Sequence, residues 1–358
     1  NNVHHNAYCG VFREEASMLK EDLDIFLITY NRAEKLKKTL GFLFAPNSPI
    51  KNYEILVIDN NSTDSTPQVV QEFAQKFPNL KYKKNRYNIG GNGNIARTFE
   101  LAQKKYVWIL CDDDEFCWDG WCEVEQAIQN EEEAIIVANT NHPRLNIAQL
   151  FAQTSFLPAM IYKTSNIDDN VIVNMQFNIS NMFPHMVLSA KLINENKAFK
   201  IISKPIVIYK GDEMPVEKTY TRGLGGYIHP YMAKMAHFSG FANTVTLIKD
   251  KKVRDFIVNK RRFLSPYLTS AEVFFDNEMK FGGSLYNLLC VFCALNTFEK
   301  IRFIFNWLMF NSLYRVIYLY KNEMFDEETS EVTTFVRARL FYYIKTRLFK
   351  FKRKIKGE

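Results

Sequence analysis

Cysteine is scarce in this chain, with six in 358 residues, too few for the disulfide framework that small secreted domains use. Several sit in apolar runs, where a free thiol behaves as a small hydrophobe, and a reducing compartment is expected. Cys290 and Cys293 have CxxC spacing but no second pair, so a buried helix is the expectation there. Residues Asn1 to Lys20 lack the apolar core of a signal peptide, and secretion is not expected. A clean membrane-spanning run is also missing: Phe281 to Phe298 carries no charge but is broken by Gly, Ser, Thr and Asn. The full GxGxxG and GxxxxGK(S/T) patterns do not occur, which counts against dehydrogenases and P-loop enzymes. No zinc-finger spacing or RNP-type strand accompanies the basic residues, so nucleic acid is not an expected partner.

What is present fits a folded protein of one large or two modest domains, since single cores stop growing near ~250 to 300 residues. The formal net charge of +7 is unevenly spread. From Thr333 to Glu358 nine Lys or Arg residues face one acid, Glu358, and Phe335, Leu340, Phe341, Tyr343, Ile344, Leu348 and Phe349 lie among them. That mixture predicts a basic amphipathic tail resting on an anionic membrane surface.

Short apolar runs, Asp24 to Thr29, Glu54 to Asp59 and Tyr106 to Leu110, alternate with amphipathic stretches, Glu34 to Phe44, Ser65 to Lys76 and Asn94 to Gln103. This rhythm predicts an α/β fold with a doubly wound sheet, whose ligands bind at the carboxyl ends of the strands. Pro158 to Tyr162 reads as a further strand, Pro184 to Asn196 as a helix, and 199–203 with 206–209 as closing strands. We expect an extension over 1–22, a catalytic domain over 23–226 and a mainly helical region over 227–358 that includes the tail, 333–358.

The predicted strand tips carry the polar residues. Adjacent carboxylates in Asp112, Asp113, Asp114 and Glu115 repel unless a cation offsets them, and Asp112 with Asp114 is the expected pair for a divalent ion. Asp59, at its strand tip, is a candidate acceptor from a base or ribose, whereas Asp64 or Ser65 reads as a helix cap. Asn88, Gly90, Gly91 and Gly93 form a loop before a helix containing Arg97, an arrangement that lets backbone approach an anion.

In the order LDIFLITYNR, EILVIDNNSTDST and NIGGNGNIARTFELAQKKYVWILCDDDE, these segments resemble the nucleotide-binding half of family 2 glycosyltransferases with the GT-A fold. The resemblance is specific over Leu23 to Phe116, weaker to about Tyr209 and absent beyond. It implies that Thr29, Tyr30 and Arg32 border the base and ribose, that Asp59 binds the base, and that Arg97 lies near the diphosphate, although Thr98 stands where Asn is usual. The acidic cluster resembles the DxD signature, with Asp112 on the ribose or metal-bound water, Asp113 on the sugar and Asp114 on Mn²⁺ or Mg²⁺.

The family's later acidic pair has no match here. The corresponding helix opens with Pro184 and His185, so the general base is expected to be His185, with Asp168 and Asp169 as the alternatives. From position alone, Arg222 is a candidate diphosphate clamp on a closing loop, and His229 a candidate metal ligand.

The expected activity is transfer of a sugar, with inversion, from a nucleoside diphosphate donor to a glycan or lipid-linked hydroxyl in bacterial surface polysaccharide, lipooligosaccharide or capsule synthesis. The expected place is the cytoplasm, on the inner face of the cytoplasmic membrane. A sugar nucleotidyltransferase and a non-catalytic sugar-nucleotide-binding protein are the rival readings. TYNRAEK lacks the Gly-rich, basic loop that the former resembles.

Overall fold

The computed structural model describes residues 19–138, 145–179, 183–208 and 244–260, with residues 297, 300 and 301 besides. Arg222, His229, the CxxC pair and the basic tail all lie outside the described residues, as does the expected boundary at 226.

The first half follows the predicted alternation closely. Strand β1 (Leu23–Thr29) leads to α1 (Ala33–Leu43), β2 (Ile55–Asp59), α2 (Thr66–Lys76), β3 (Leu80–Lys84), α3 (Gly91–Leu101) and β4 (Tyr106–Cys111). Then come β5 (Glu115–Phe116), α4 (Trp121–Gln129), β6 (Ala134–Ile136), α5 (Ile147–Gln153), β7 (Met160–Lys163), α6 (Asp169–Phe177) and α7 (Met186–Asn194). Strands β8 (Phe199–Ile201) and β9 (Val207–Ile208) and helix α8 (Lys251–Lys260) complete the described elements.

Seven strands form one sheet in the order β3-β2-β1-β4-β7-β6-β8, and β5 pairs with β9 in a separate two-stranded ribbon. Strands β1 to β4 are parallel, β7 runs antiparallel to both β4 and β6, and β8 is parallel to β6. The sheet is therefore mixed, with β1 to β4 as its parallel part and β7 as its antiparallel strand.

Near-continuous apolar runs in β1 and β4 mark strands covered on both faces. One face packs Leu23, Ile25 and Leu27 with Leu36 and Leu40 of α1 and Trp121 of α4. The other packs Phe26, Val107 and Ile109 with Phe99 of α3 and Leu188 of α7. The Trp108 indole, fully buried, donates to Pro158 O at 2.9 Å, so its one polar atom is satisfied in the core. Helix α8 packs against α5. No helix among the described residues is long and apolar enough to cross a membrane.

Candidate active site

Strand order reverses between the parallel strands β1 and β4, which are neighbours in the sheet although β2 and β3 lie between them in sequence. A crevice opens at such a switch point, outside the carboxyl ends of the strands. Register fills it: Asp59 lies opposite Thr29 on one side and Lys84 on the other. Asp112 follows the Ile28–Cys111 pair by one residue, so it falls beside Thr29. Lys84, Asp59, Thr29 and Asp112 thus form one row on one face of four neighbouring strands, spaced ~4.8 Å from strand to strand.

Two asparagines shape the rim. Asn31 and Asn61 take left-handed backbone, φ 51° and 69°, which Asn tolerates better than most residues. The Asn31 side chain accepts from Thr63 N at 2.7 Å and its N–H donates to Ser62 Oγ at 2.8 Å, tying the tips of β1 and β2 together. Asp64 accepts from Ala33 N at 3.1 Å and Thr66 N at 3.0 Å, so it serves the first residues of both α1 and α2. Ser65 precedes α2 without a side-chain cap bond.

Asp112 is buried and has both oxygens taken: Oδ2 accepts from Thr29 Oγ1 at 2.7 Å and Oδ1 from Arg32 Nη1 at 2.9 Å. Burial pushes its pKa up, while Arg32 and Thr29 hold it back. Asp113 Oδ2 also accepts from Arg32 Nη1, at 2.9 Å. Asp114 is different. Its Oδ2 is buried with no hydrogen-bond partner, and burial followed by the Asp113 and Asp112 charges pushes its pKa up to about 8.

Among the described residues, Asp113, Asp114 and the Cys111 thiol could hold an ion together, with ligand atoms within 4.8 Å of one another. Of the expected pair, Asp114 belongs to this group, while the oxygens of Asp112 accept from Thr29 and Arg32. An orphaned, charge-crowded carboxylate fits a hard divalent cation, which replaces the missing donors with positive charge.

The glycine loop is held by hydrogen bonds among asparagines, Asn88 of the loop itself with Asn60, Asn85 and Asn94. Asn60 Nδ2 donates to Asn88 Oδ1 at 2.8 Å, Asn85 Nδ2 to Asn94 Oδ1 at 2.8 Å, and Ile89 N to Asn60 Oδ1 at 3.0 Å. Gly90 has φ 78°, a conformation that favours glycine, and caps α3, which starts at Gly91. A Cβ on Gly91 would meet nothing within 4 Å, so open space lies over the helix start. Two turns in, Arg97 is partly buried, its Nε without a hydrogen-bond partner.

The other expected residues fall in three places. Tyr30 follows Thr29 at the crevice rim. His185 opens α7, whose following strand β8 runs parallel to β6 and so to β4, which puts the start of the helix on the crevice side. Its ring is 2% exposed, with Nε2 at 3.2 Å from Ser155 O. A carbonyl only accepts, so Nε2 carries the hydrogen and Nδ1 the lone pair; Nδ1 has no partner. Burial lowers the imidazole pKa to about 4.

Asp168 and Asp169, the alternative bases, are placed elsewhere. They follow β7, whose last residue, Lys163, pairs with Tyr106 at the beginning of β4. That is the opposite rim of the sheet from Asp112, ~20 Å away along a six-residue strand. Asp168 caps α6 through Val171 N at 2.8 Å and pairs with Lys191 at 3.1 Å, contacts that hold its pKa low. Neither residue reaches the crevice.

Residues 24–187 match the family described as glycosyl transferase family 2. This segment is a family 2 glycosyltransferase domain. Abequosyltransferase RfbV of Salmonella typhimurium is 25% identical over 228 residues, 53% of this chain and 67% of that protein. A GalNAc(5)-diNAcBac-PP-undecaprenol beta-1,3-glucosyltransferase of Campylobacter jejuni is 36% identical over 94 residues, 26% of this chain and 30% of that protein. The first two curated relatives, glycosyltransferases of Mycoplasma pneumoniae and Mycoplasma genitalium, are spanned over 31% and 34% of their length. Among solved structures, S. aureus TarS 1-349 in complex with UDP superimposes with a TM-score of 0.53 at 15% identity, covering 82% of this chain and 91% of that one. That likeness shows the GT-A fold for the family 2 domain.

Proposed function

We propose that the family 2 domain transfers a sugar, with inversion, from a nucleoside diphosphate sugar to a hydroxyl of a glycan or lipid-linked acceptor in bacterial surface-glycan synthesis. The observation that carries this reading is the gathering of Asp59, Thr29 and Asp112 in one row, with the partnerless Asp114 oxygen beside them. A nucleotide laid along that row has acceptors for its base and ribose at one end and a cation site at the other.

Each group has a role in this reading. Asp59 and Tyr30 border the base, and Thr29, Arg32 and Asp112 the ribose. Arg97 and the open start of α3 at Gly91 face the diphosphate, where a cation and helix N–H groups favour negative charge. Asp113 and Asp114 would hold the divalent ion, Mn²⁺ or Mg²⁺, which when bound supplies positive charge to the departing diphosphate. His185 Nδ1, a buried lone pair that burial makes less basic than an ordinary imidazole, is assigned the acceptor proton; the Nε2–H bond to Ser155 fixes that tautomer.

A thermal-shift screen of UDP, GDP, CDP and ADP, with and without Mn²⁺, tests the reading, because whatever binds the folded state raises its melting temperature. Stabilisation by one diphosphate that grows with Mn²⁺ is the expected result; none by any of the four sinks it. Release of pyrophosphate from a nucleoside triphosphate would favour the nucleotidyltransferase rival, and binding without turnover the non-catalytic one. The membrane role of 333–358 rests on its sequence, and flotation with anionic liposomes, with and without those residues, tests it.

A further inference from the structure

We propose that Tyr82 is a movable cover on Asp59, which a nucleobase must displace, so that its phenol sets the affinity and selectivity of the base subsite. This inference rests on the donor-binding reading above.

Asp59 is 0% exposed. One oxygen, Oδ1, accepts from Ser62 N at 2.8 Å and Ser62 Oγ at 2.6 Å, and the other, Oδ2, accepts from Tyr82 Oη at 2.6 Å. No atom from outside the protein touches this carboxylate unless a covering group moves. Ser62 is not that group. It is 1% exposed, it sits in the turn that ends β2, and Asn31 N donates to its hydroxyl at 2.8 Å.

Tyr82 is built differently. It lies on β3, the outermost strand of the sheet at that side. Lys84 is the register partner of Asp59, so Tyr82, two residues earlier, projects from the same face and reaches Asp59 diagonally. Its side chain belongs to a residue 38% exposed, and it turns into solvent by side-chain rotation without opening the core. When it turns, the phenol exchanges a carboxylate for water, and Oδ2 of Asp59 becomes free to accept.

An ionised carboxylate only accepts. The incoming base must therefore point an N–H at Oδ2, the ring N–H of uracil, thymine or guanine or an exocyclic amino group of cytosine or adenine, to replace the phenol O–H. A base that points none there displaces Tyr82 and leaves the carboxylate unpaired, which is how a buried polar group rejects an analogue that lacks the matching donor. Tyr82 thus makes the exchange costly for every base and compensated only for a base whose pose directs an N–H at Oδ2.

The test is isothermal titration of the full chain, in Mn²⁺, with UDP, GDP, CDP and ADP, comparing the unaltered protein with Tyr82→Phe. Phe keeps the ring and removes the hydroxyl, so the preferred diphosphate should bind about tenfold more tightly, the order expected for one hydrogen bond to a charged group. Tightening is the discriminating sign, since a merely structural tyrosine loosens the site when altered. Asp59→Asn should abolish the difference, because the carboxylate the phenol guards is gone. Binding by Tyr82→Phe equal to or weaker than that of the unaltered protein overturns the proposal while the donor reading stands. If neither protein binds any of the four, the donor reading fails and this one falls with it.

Discussion

Arg32 Nη1 lies 2.9 Å from Asp112 Oδ1, and the same nitrogen lies 2.9 Å from Asp113 Oδ2. One guanidinium thus bridges two carboxylates across the switch point, joining the exit of β1 to the exit of β4. Asp112 is buried, so its charge depends on that partner. Removing one member of such a pair leaves the other uncompensated, which costs several kcal/mol in a dry site and less here because Arg32 is partly exposed. Arg32→Met should destabilise the metal-free protein by about 2 kcal/mol, on the scale of those pairs. Mn²⁺ should restore part of the loss by taking over the charge compensation. Denaturant melts with and without Mn²⁺ check this; an unchanged midpoint would mean the bridge contributes nothing.

Asp114 predicts a proton linkage. Its pKa is raised from 3.8 to about 8, so between those values the folded protein holds a proton that the unfolded chain has released. Stability from this group is therefore greatest at low pH and falls as pH rises through 3.8 to about 8. A bound cation favours the ionised form, so metal binding at neutral pH must expel a proton. Titration calorimetry of Mn²⁺ in buffers of different ionisation enthalpy should show release of up to one proton at pH 7, lost in Asp114→Asn. Asp114→Asn should also melt higher than the unaltered metal-free protein at pH 9. A buffer-independent heat of Mn²⁺ binding would remove Asp114 from the metal site.

The sequence announced this crevice well because its elements are local. Apolar runs ending in polar residues at Thr29, Asp59 and Cys111 mark parallel strands, and each tip faces the same edge whatever happens later in the chain. Strand β3, LKYKK, alternates poorly because it is an edge with little to bury, and it went unnamed for that reason. The reversed direction of β7 was also invisible. A four-residue strand reads alike both ways, yet its direction moves Asp168 and Asp169 to the far rim. Side-chain bonds were least legible of all. Asp59 looked like an open acceptor, but Ser62 and Tyr82, the latter on a strand not yet recognised, occupy it. Asn88 read as a loop residue and Asn94 as the start of a helix, and only the folded chain shows that they, with Asn60 and Asn85, hold the glycine turn.

Arg97 gives the sharpest binding prediction. Its Nε is buried without a hydrogen-bond partner, an arrangement that disfavours the empty site and favours an incoming anion. Arg97→Met should leave melting unchanged or slightly raised, since a half-buried unpaired cation is replaced by an apolar chain of similar length. It should weaken nucleoside diphosphate binding by about 10- to 100-fold, the scale of charge-assisted bonds to phosphate. Binding of the free nucleoside should not change. Calorimetry with UDP and uridine, or the corresponding pair for the preferred base, separates the two; equal losses for both would place Arg97 at the base instead.

His185 is the test of catalysis proper. With its Nε2–H held on Ser155 O, the Nδ1 lone pair is the basic atom, and a pKa of about 4 keeps the ring neutral throughout the physiological range. An ordinary histidine, near 6.5, loses its base function below neutrality. Here turnover should persist to about pH 5 before falling, as proton uptake requires only the lowered value. The same shift affects folding in a defined direction: between about 4 and 6.5 the unfolded chain binds a proton that the folded ring does not, so stability rises with pH across that window. His185→Gln cannot act as a base. It should cut kcat by about 10²- to 10⁴-fold with donor affinity intact, and should flatten the stability gain between pH 4 and 6.5. Because a packing histidine also shows the second effect, the kcat loss decides: full turnover in His185→Gln would give the acceptor proton to another group.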